Sequence, residues 1–146
     1  MESSPARVLI VANRTAATPA LLDAVRRRAA AGPCRFTLLV PRAAGALERL
    51  ANPADISDGA AAEVLATALP LLGEAAGAAV DGRIGDPEPL MAIQDALNLV
   101  GFDEIILSTL PHRLSRWLHL DLPHKLSGLG VPVQTVVADD RAPVLT

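Results

Sequence analysis

The chain has 146 residues, 51 % of them hydrophobic, and carries a net charge of −3. That is about one ordinary domain with enough apolar material for a core, and no global basic field to draw it to nucleic acid or an anionic membrane. Aromatics make up only 2 % (Phe36, Phe102 and Trp117), so there is no platform for stacking single-stranded bases, and the core must be built from Val, Leu, Ile and Ala.

The single cysteine, Cys34, sits in an apolar run and reads as a buried thiol in a reducing compartment. Met1 to Ala6 is polar, without the apolar centre of a signal peptide. No run approaches the ~20 apolar residues that span a bilayer. The expectation is a cytoplasmic protein with no membrane and no nucleic-acid partner.

Arg7 to Ala12 (RVLIVA) is apolar on both faces, which suits a central parallel strand covered on two sides. Asn13, Arg14 and Thr15 break the run. Thr18 and Pro19 then form the pair that a helix start prefers, with Leu21, Leu22, Val25 and Ala29 at helical spacing. Arg26, Arg27 and Arg28 read as a solvated surface of that helix. Gly32-Pro33 ends it, and Cys34 to Val40 is the second strand. Pro41 to Asp55 reads as irregular, with one helical turn near Leu47 to Leu50. Ser57 or Asp58 is placed to cap a second helix reaching about Ala76, which Pro70 should kink or divide.

Ala78 to Ile84 is a weaker third strand. Gly85-Asp86-Pro87 turns into a third helix, with Asp86 as cap, Pro87 first, and Leu90, Ile93, Leu97 and Val100 as the buried face. Gly101 stops it. Glu104 to Thr109 (EIILST) is the clearest strand. Leu110 to Leu120 is a loop, Asp121 caps a last helix from Leu122 to about Leu129, and Val131 to Ala138 is the fifth strand. The tail from Asp139 is polar and loose. The alternation predicts one domain over 1–146: a three-layer α/β/α sandwich on a five-stranded parallel sheet, flavodoxin- or Rossmann-like, with right-handed crossovers. Ligands of such sheets sit at the carboxyl ends of the strands where connections reverse, here after strands one and four.

Four stretches, GDPEPLMAI from Gly85, DEIILST from Asp103, LSRWLHLDLPHKL from Leu114 and VPVQTVV from Val131, together resemble the universal stress protein family. The resemblance covers nearly the whole chain, most clearly its second half. It implies the same α/β fold and a homodimer through pairing of the last strand. ATP-binding members carry Gly, two residues, Gly, nine residues, Gly-Ser after strand four, where bare backbone N–H groups reach the phosphates. Here those positions fall on Ser108, Pro111, Leu120 and Asp121, in a loop one residue shorter, and an acidic residue frequent after strand one is Asn13. Pro111 has no N–H to donate, Leu120 adds bulk, and a carboxylate at Asp121 satisfies a helix start and repels an anion. No cofactor is expected, and ATP held through a glycine loop is not.

An anionic ligand, a nucleotide among them, has a different set of residues available. Arg14, Arg42, His112, Arg113 and Arg116 follow strands one, two and four, and guanidinium forks suit phosphate and carboxylate. With Asn13, Val40, Gly85, Ser108 and Thr109 they form the candidate ligand site; the alternative is that the arginines are solvated or pair with Asp86, Glu88 and Asp121. His112, His119 and His124 match no zinc spacing. Trp117 reads as a core or interface anchor. Ser108 and Ser115 lie near His112 without a nucleophile elbow, and no Walker, GxGxxG or CxxC pattern is present. The sequence offers no catalytic constellation and no metal site. Its preferred reading is a non-enzymatic regulatory or interaction domain, and its second a binder of small anions.

Overall fold

The computed structural model describes residues 5–12, 16–41, 53–85, 89–109, 128 and 130–137; of 53–60 and 89–90 only the backbone is described. The elements in chain order are β1 (Ala6–Val11), α1 (Pro19–Ala31), β2 (Cys34–Pro41), α2 (Pro53–Ala76), β3 (Asp81–Gly85), α3 (Pro89–Leu99), β4 (Glu104–Thr109) and β5 (Val133–Val137). The five strands form one parallel sheet in the order β3-β2-β1-β4-β5. This is the predicted fold, with the reversal of winding between β1 and β4.

The layers follow from strand alternation. Val8 and Ile10 of β1 point to the side where Leu21 and Val25 of α1 and Ala68 and Leu72 of α2 complete one core. Leu9 and Val11 point to the other, with Ala92, Ile93 and Ala96 of α3, Phe102, Ile105 and Leu107. All four β1 residues are at most 1 % exposed. The near-continuous apolar run was the correct signal for a strand covered on both faces.

Thr18 is the N-cap of α1 and Pro19 opens the helix. The Leu22 N–H donates to the Thr18 carbonyl at 3.0 Å, whereas the Thr18 hydroxyl makes no capping bond to the helix. Two helices end at glycines in the left-handed region, Gly77 (φ 74°) after α2 and Gly101 (φ 84°) after α3, where a side chain would be strained. Their N–H groups reach back to the Gly73 and Ala96 carbonyls.

Several boundaries depart from the sequence reading. Helix α2 begins at Pro53, so Ser57 and Asp58 lie inside it rather than capping it, and Pro41 closes β2 rather than opening a loop. A proline is well suited to a first helical position because its missing N–H would be unpaired there anyway. Pro70 neither divides nor ends α2, which runs unbroken to Ala76. Pro70 and Ala66, one turn before it, are both exposed, so the carbonyl that loses its donor lies on the water side. Helix α3 starts at Pro89, and its buried face is Ala92, Ile93 and Ala96; Val100 lies beyond its end, 40 % exposed. The proposed cap at Asp86, the turn near Leu47, the last helix from Leu122 and the tail from Asp139 lie outside the described residues.

The arginine run also divides. Arg27 pairs with Asp23 one turn away, both side chains mostly exposed. Arg28 instead crosses to the sheet and grips Glu104 at the start of β4: Nε donates to Oε1 and Oε2 at 2.9 and 3.1 Å, and one terminal nitrogen donates to Oε2 at 2.7 Å. Their side chains retain 19 % and 32 % of full exposure, so water is partly excluded from this forked pair. The hydrogen bonds donated to Glu104 raise the Arg28 guanidinium pKa above its ordinary value. A double-mutant cycle of Arg28→Ala and Glu104→Ala, read by urea unfolding, should give a coupling of about 1 kcal/mol. Pro70→Ala, which restores a helix donor at an exposed position, should raise the unfolding midpoint by several degrees.

Candidate functional site

The reversal between β1 and β4 places the candidate site at the carboxyl edge of the sheet, and the described part of that edge has a definite composition. β1 ends in Val11 and is followed by Ala12, whose N–H donates to the Leu39 carbonyl at 3.2 Å. β2 ends in Val40 and Pro41, β3 in Gly85, and β4 in Ser108 and Thr109. Ala12 is 2 % exposed and Val40 fully buried, both within the core shared with α1 and α2. The Val40 side chain is thus core material, and only its backbone borders the edge.

Ser108 and Thr109 are the buried polar residues of the described structure, each 2 % exposed. Both belong to β4, Ser108 opposite Val136 and Thr109 opposite Val137 of β5. Alternation from Ile106 and Leu107 turns Ser108 toward the α1/α2 side and Thr109 toward the α3 side. Both residues are engaged in interactions within the fold. Ser108 is therefore a paired strand residue and not part of a turn.

Gly85 leaves room for close packing here. A Cβ built on it would come within 2.8 Å of Leu39 Cδ1 and 2.9 Å of Ala92 Cβ. The leucine methyl can swing, but the alanine Cβ is fixed to α3, so any side chain at position 85 must push the helix outward. The glycine lets β3 and α3 approach closely, which is a packing role. Beside it, between α3 and the β3 edge, lies a groove of about 400 Å³ lined by Leu39, Arg83, Gly85, Ala92, Asp95 and Leu99, among others. The sequence reading passed over this groove, although Ala92, Asp95, Ala96 and Leu99 at helical spacing carried a signal for it.

Asn13, Arg14, Arg42, His112, Arg113 and Arg116 lie outside the described residues, as do Ser115, Trp117, His119, Asp121 and His124. The structure thus places Val40, Gly85, Ser108 and Thr109 along one edge and leaves the proposed arginine set open. No group of three or more metal-ligating side chains occurs among the described residues. None of the described helices is long and apolar enough to cross a membrane.

The opposite, amino edge is held by polar contacts. The Arg7 N–H donates to Asp103 Oδ2 and the Asp103 N–H to the Arg7 carbonyl, each at 2.8 Å, while the Arg7 guanidinium donates to the Val100 carbonyl at 2.9 Å. The acidic residue that precedes β4 therefore serves to lock β1 to β4. Cys34 lies half-buried at this edge near Arg28 and Glu104, and burial pushes its thiol pKa up despite the nearby guanidinium. Its setting opposes thiolate formation.

No protein-family model matches the sequence, and no curated protein matches it. Among solved structures, the crystal structure of a hypothetical protein, PH0823, aligns with a TM-score of 0.52 at 17 % identity, covering 92 % of this chain and 98 % of that one. At that identity the likeness carries the fold alone, and it agrees with the α/β architecture described above.

Gly85→Ala should destabilise the protein by about 1–3 kcal/mol through displacement of α3. Urea unfolding would check this, and a value near zero would mean that the helix yields freely.

Proposed function

We propose that this chain is a regulatory or interaction domain of the universal stress protein type, non-catalytic, and not a holder of ATP through a glycine loop. The observation that carries this reading is Ser108. By the resemblance it stands where ATP-binding members of that family have their first glycine, yet it is 2 % exposed and lies on β4 opposite Val136 of β5. A phosphate nest needs successive N–H groups in a bare turn facing the ligand, and a residue buried within a strand does not supply one. The sequence extends the same conflict to Pro111, Leu120 and Asp121.

The order β3-β2-β1-β4-β5 and the four stretches of resemblance support the family assignment. Within it, a cytoplasmic stress-response role and a homodimer are what the resemblance implies. The resemblance would seat the second copy on β5, an edge strand of the described sheet.

Thermal unfolding with and without excess ATP and magnesium tests the reading. A ligand at ~100 times its dissociation constant stabilises by about 2.7 kcal/mol, a shift of several degrees for a domain of this size. The expected outcome is no shift and no nucleotide turnover. A clear shift that disappears in Arg113→Ala or Arg116→Ala would overturn it in favour of side-chain capture of an anion.

A further inference from the structure

The sheet ends on two edges, and the functional reading above seats a second copy of this chain on one of them, β5. The other edge is β3, which among the described residues pairs only with β2. An edge strand offers its outward backbone N–H and C=O groups to any extended chain that lies beside it. With the residue before it, the strand reads Val80-Asp81-Gly82-Arg83-Ile84-Gly85.

The two faces of this edge suit different side chains. A Cβ on Gly82 would meet Leu65 and Leu69 of α2 at 2.9 Å, which puts Gly82 on the α1/α2 side, where Val80 and Ile84 pack against the same core. Val80, Ile84, Leu65 and Leu69 are only half-buried, so apolar surface remains there for a neighbour to cover. Gly85 faces Leu39 and Ala92, so Asp81 and Arg83 share the α3 side with it. That side is charged. Arg83 and Asp95 line the groove beside the edge, yet among the described residues neither they nor Asp81 has an ion-pair partner.

A strand laid on β3 therefore meets an anion and a cation two places apart on one face, and apolar side chains between them on the other. Charge complementarity calls for an acidic residue opposite Arg83 and a basic one opposite Asp81, and the α2 leucines call for an apolar residue opposite Gly82. Doubly wound sheets commonly carry an antiparallel strand at the edge of an otherwise parallel sheet, and the antiparallel ladder is the more stable per residue. In that direction the incoming segment reads acid, apolar, base from its amino end.

Resting on the interaction-domain reading above, we infer that β3 is the docking edge for an extended segment of a different protein, which adds as an antiparallel strand with an acidic residue on Arg83 and a basic residue on Asp81. Fluorescence anisotropy with two labelled synthetic peptides and the whole chain tests it. One peptide carries valine, glutamate, valine, lysine, valine between serines; the other has glutamate and lysine exchanged. The first should bind about tenfold more tightly, since the exchange turns two attractive pairs into two repulsive ones. The double variant Asp81→Arg with Arg83→Asp, shown to be folded by circular dichroism, should reverse that preference. Binding of neither peptide to the wild type, equal binding of both, or a folded double variant that keeps the wild-type order overturns the inference. So does a dimer of the chain alone that Arg83→Asp dissolves, because a second copy would then occupy β3. Nucleotide binding or turnover would sink the functional reading without altering the peptide preference, so each can fail alone.

Discussion

Everything in this molecule hangs on β1 being bonded on both sides. It pairs with β2 along its whole length and with β4 from Val8 to Val11, so its inner backbone donors and acceptors find partners within the sheet. Only under that condition can Val8, Leu9, Ile10 and Val11 be withdrawn from water on both faces. Fully burying a side chain of this kind contributes about 1.5–3 kcal/mol, and two opposed cores draw on the same four residues. The carboxyl end of the strand inherits the consequence. Any ligand at the β1/β4 reversal meets a floor of small or apolar groups and two buried hydroxyl residues, and must find its polar contacts in the loops above.

With few aromatics, the layers close by approach and not by bulk. Ala61, Ala68 and Ala75 of α2 and Ala92 and Ala96 of α3 are all buried. Gly82 and Gly85 bring β3 against those same helices, one toward each face. Close approach makes dispersion contacts dense, and it leaves little slack for added atoms. The forked pair of Arg28 and Glu104 works across the same layers, tying α1 to the first residue of β4 while Arg7 and Asp103 tie β1 to the residue before it. Both of these polar contacts lie at the amino edge.

Hydrophobic pattern made β4 legible to the residue and β1 and β2 to within one, because a strand buried on both faces leaves an unbroken apolar run. Pattern failed where the outcome depended on which way a residue faces. Pro70 was expected to kink or divide the helix because its backbone chemistry is local, but whether a lost hydrogen bond divides a helix is decided by exposure, which is set by packing. Arg28 looked like its neighbours Arg26 and Arg27; only the fold brings Glu104, 76 positions away, to its guanidinium. Of the candidate site, Val40, Gly85, Ser108 and Thr109 stand at strand ends, as the fold reading put them. Gly85 was visible as a special residue, but its reason, contact with Ala92, was not.

The two edges of the sheet present opposite problems, and the residues at each differ accordingly. An edge strand offers unpaired backbone groups to any other chain, and charge is the usual deterrent. On β3 the charges are of opposite sign, Asp81 and Arg83 on either side of Gly82. Two five-stranded sheets could not join through both edges by separate two-fold axes without the assembly continuing. A chain that joined copies through both β5 and β3 would build an open ribbon. Specificity therefore requires that one edge be favoured over the other.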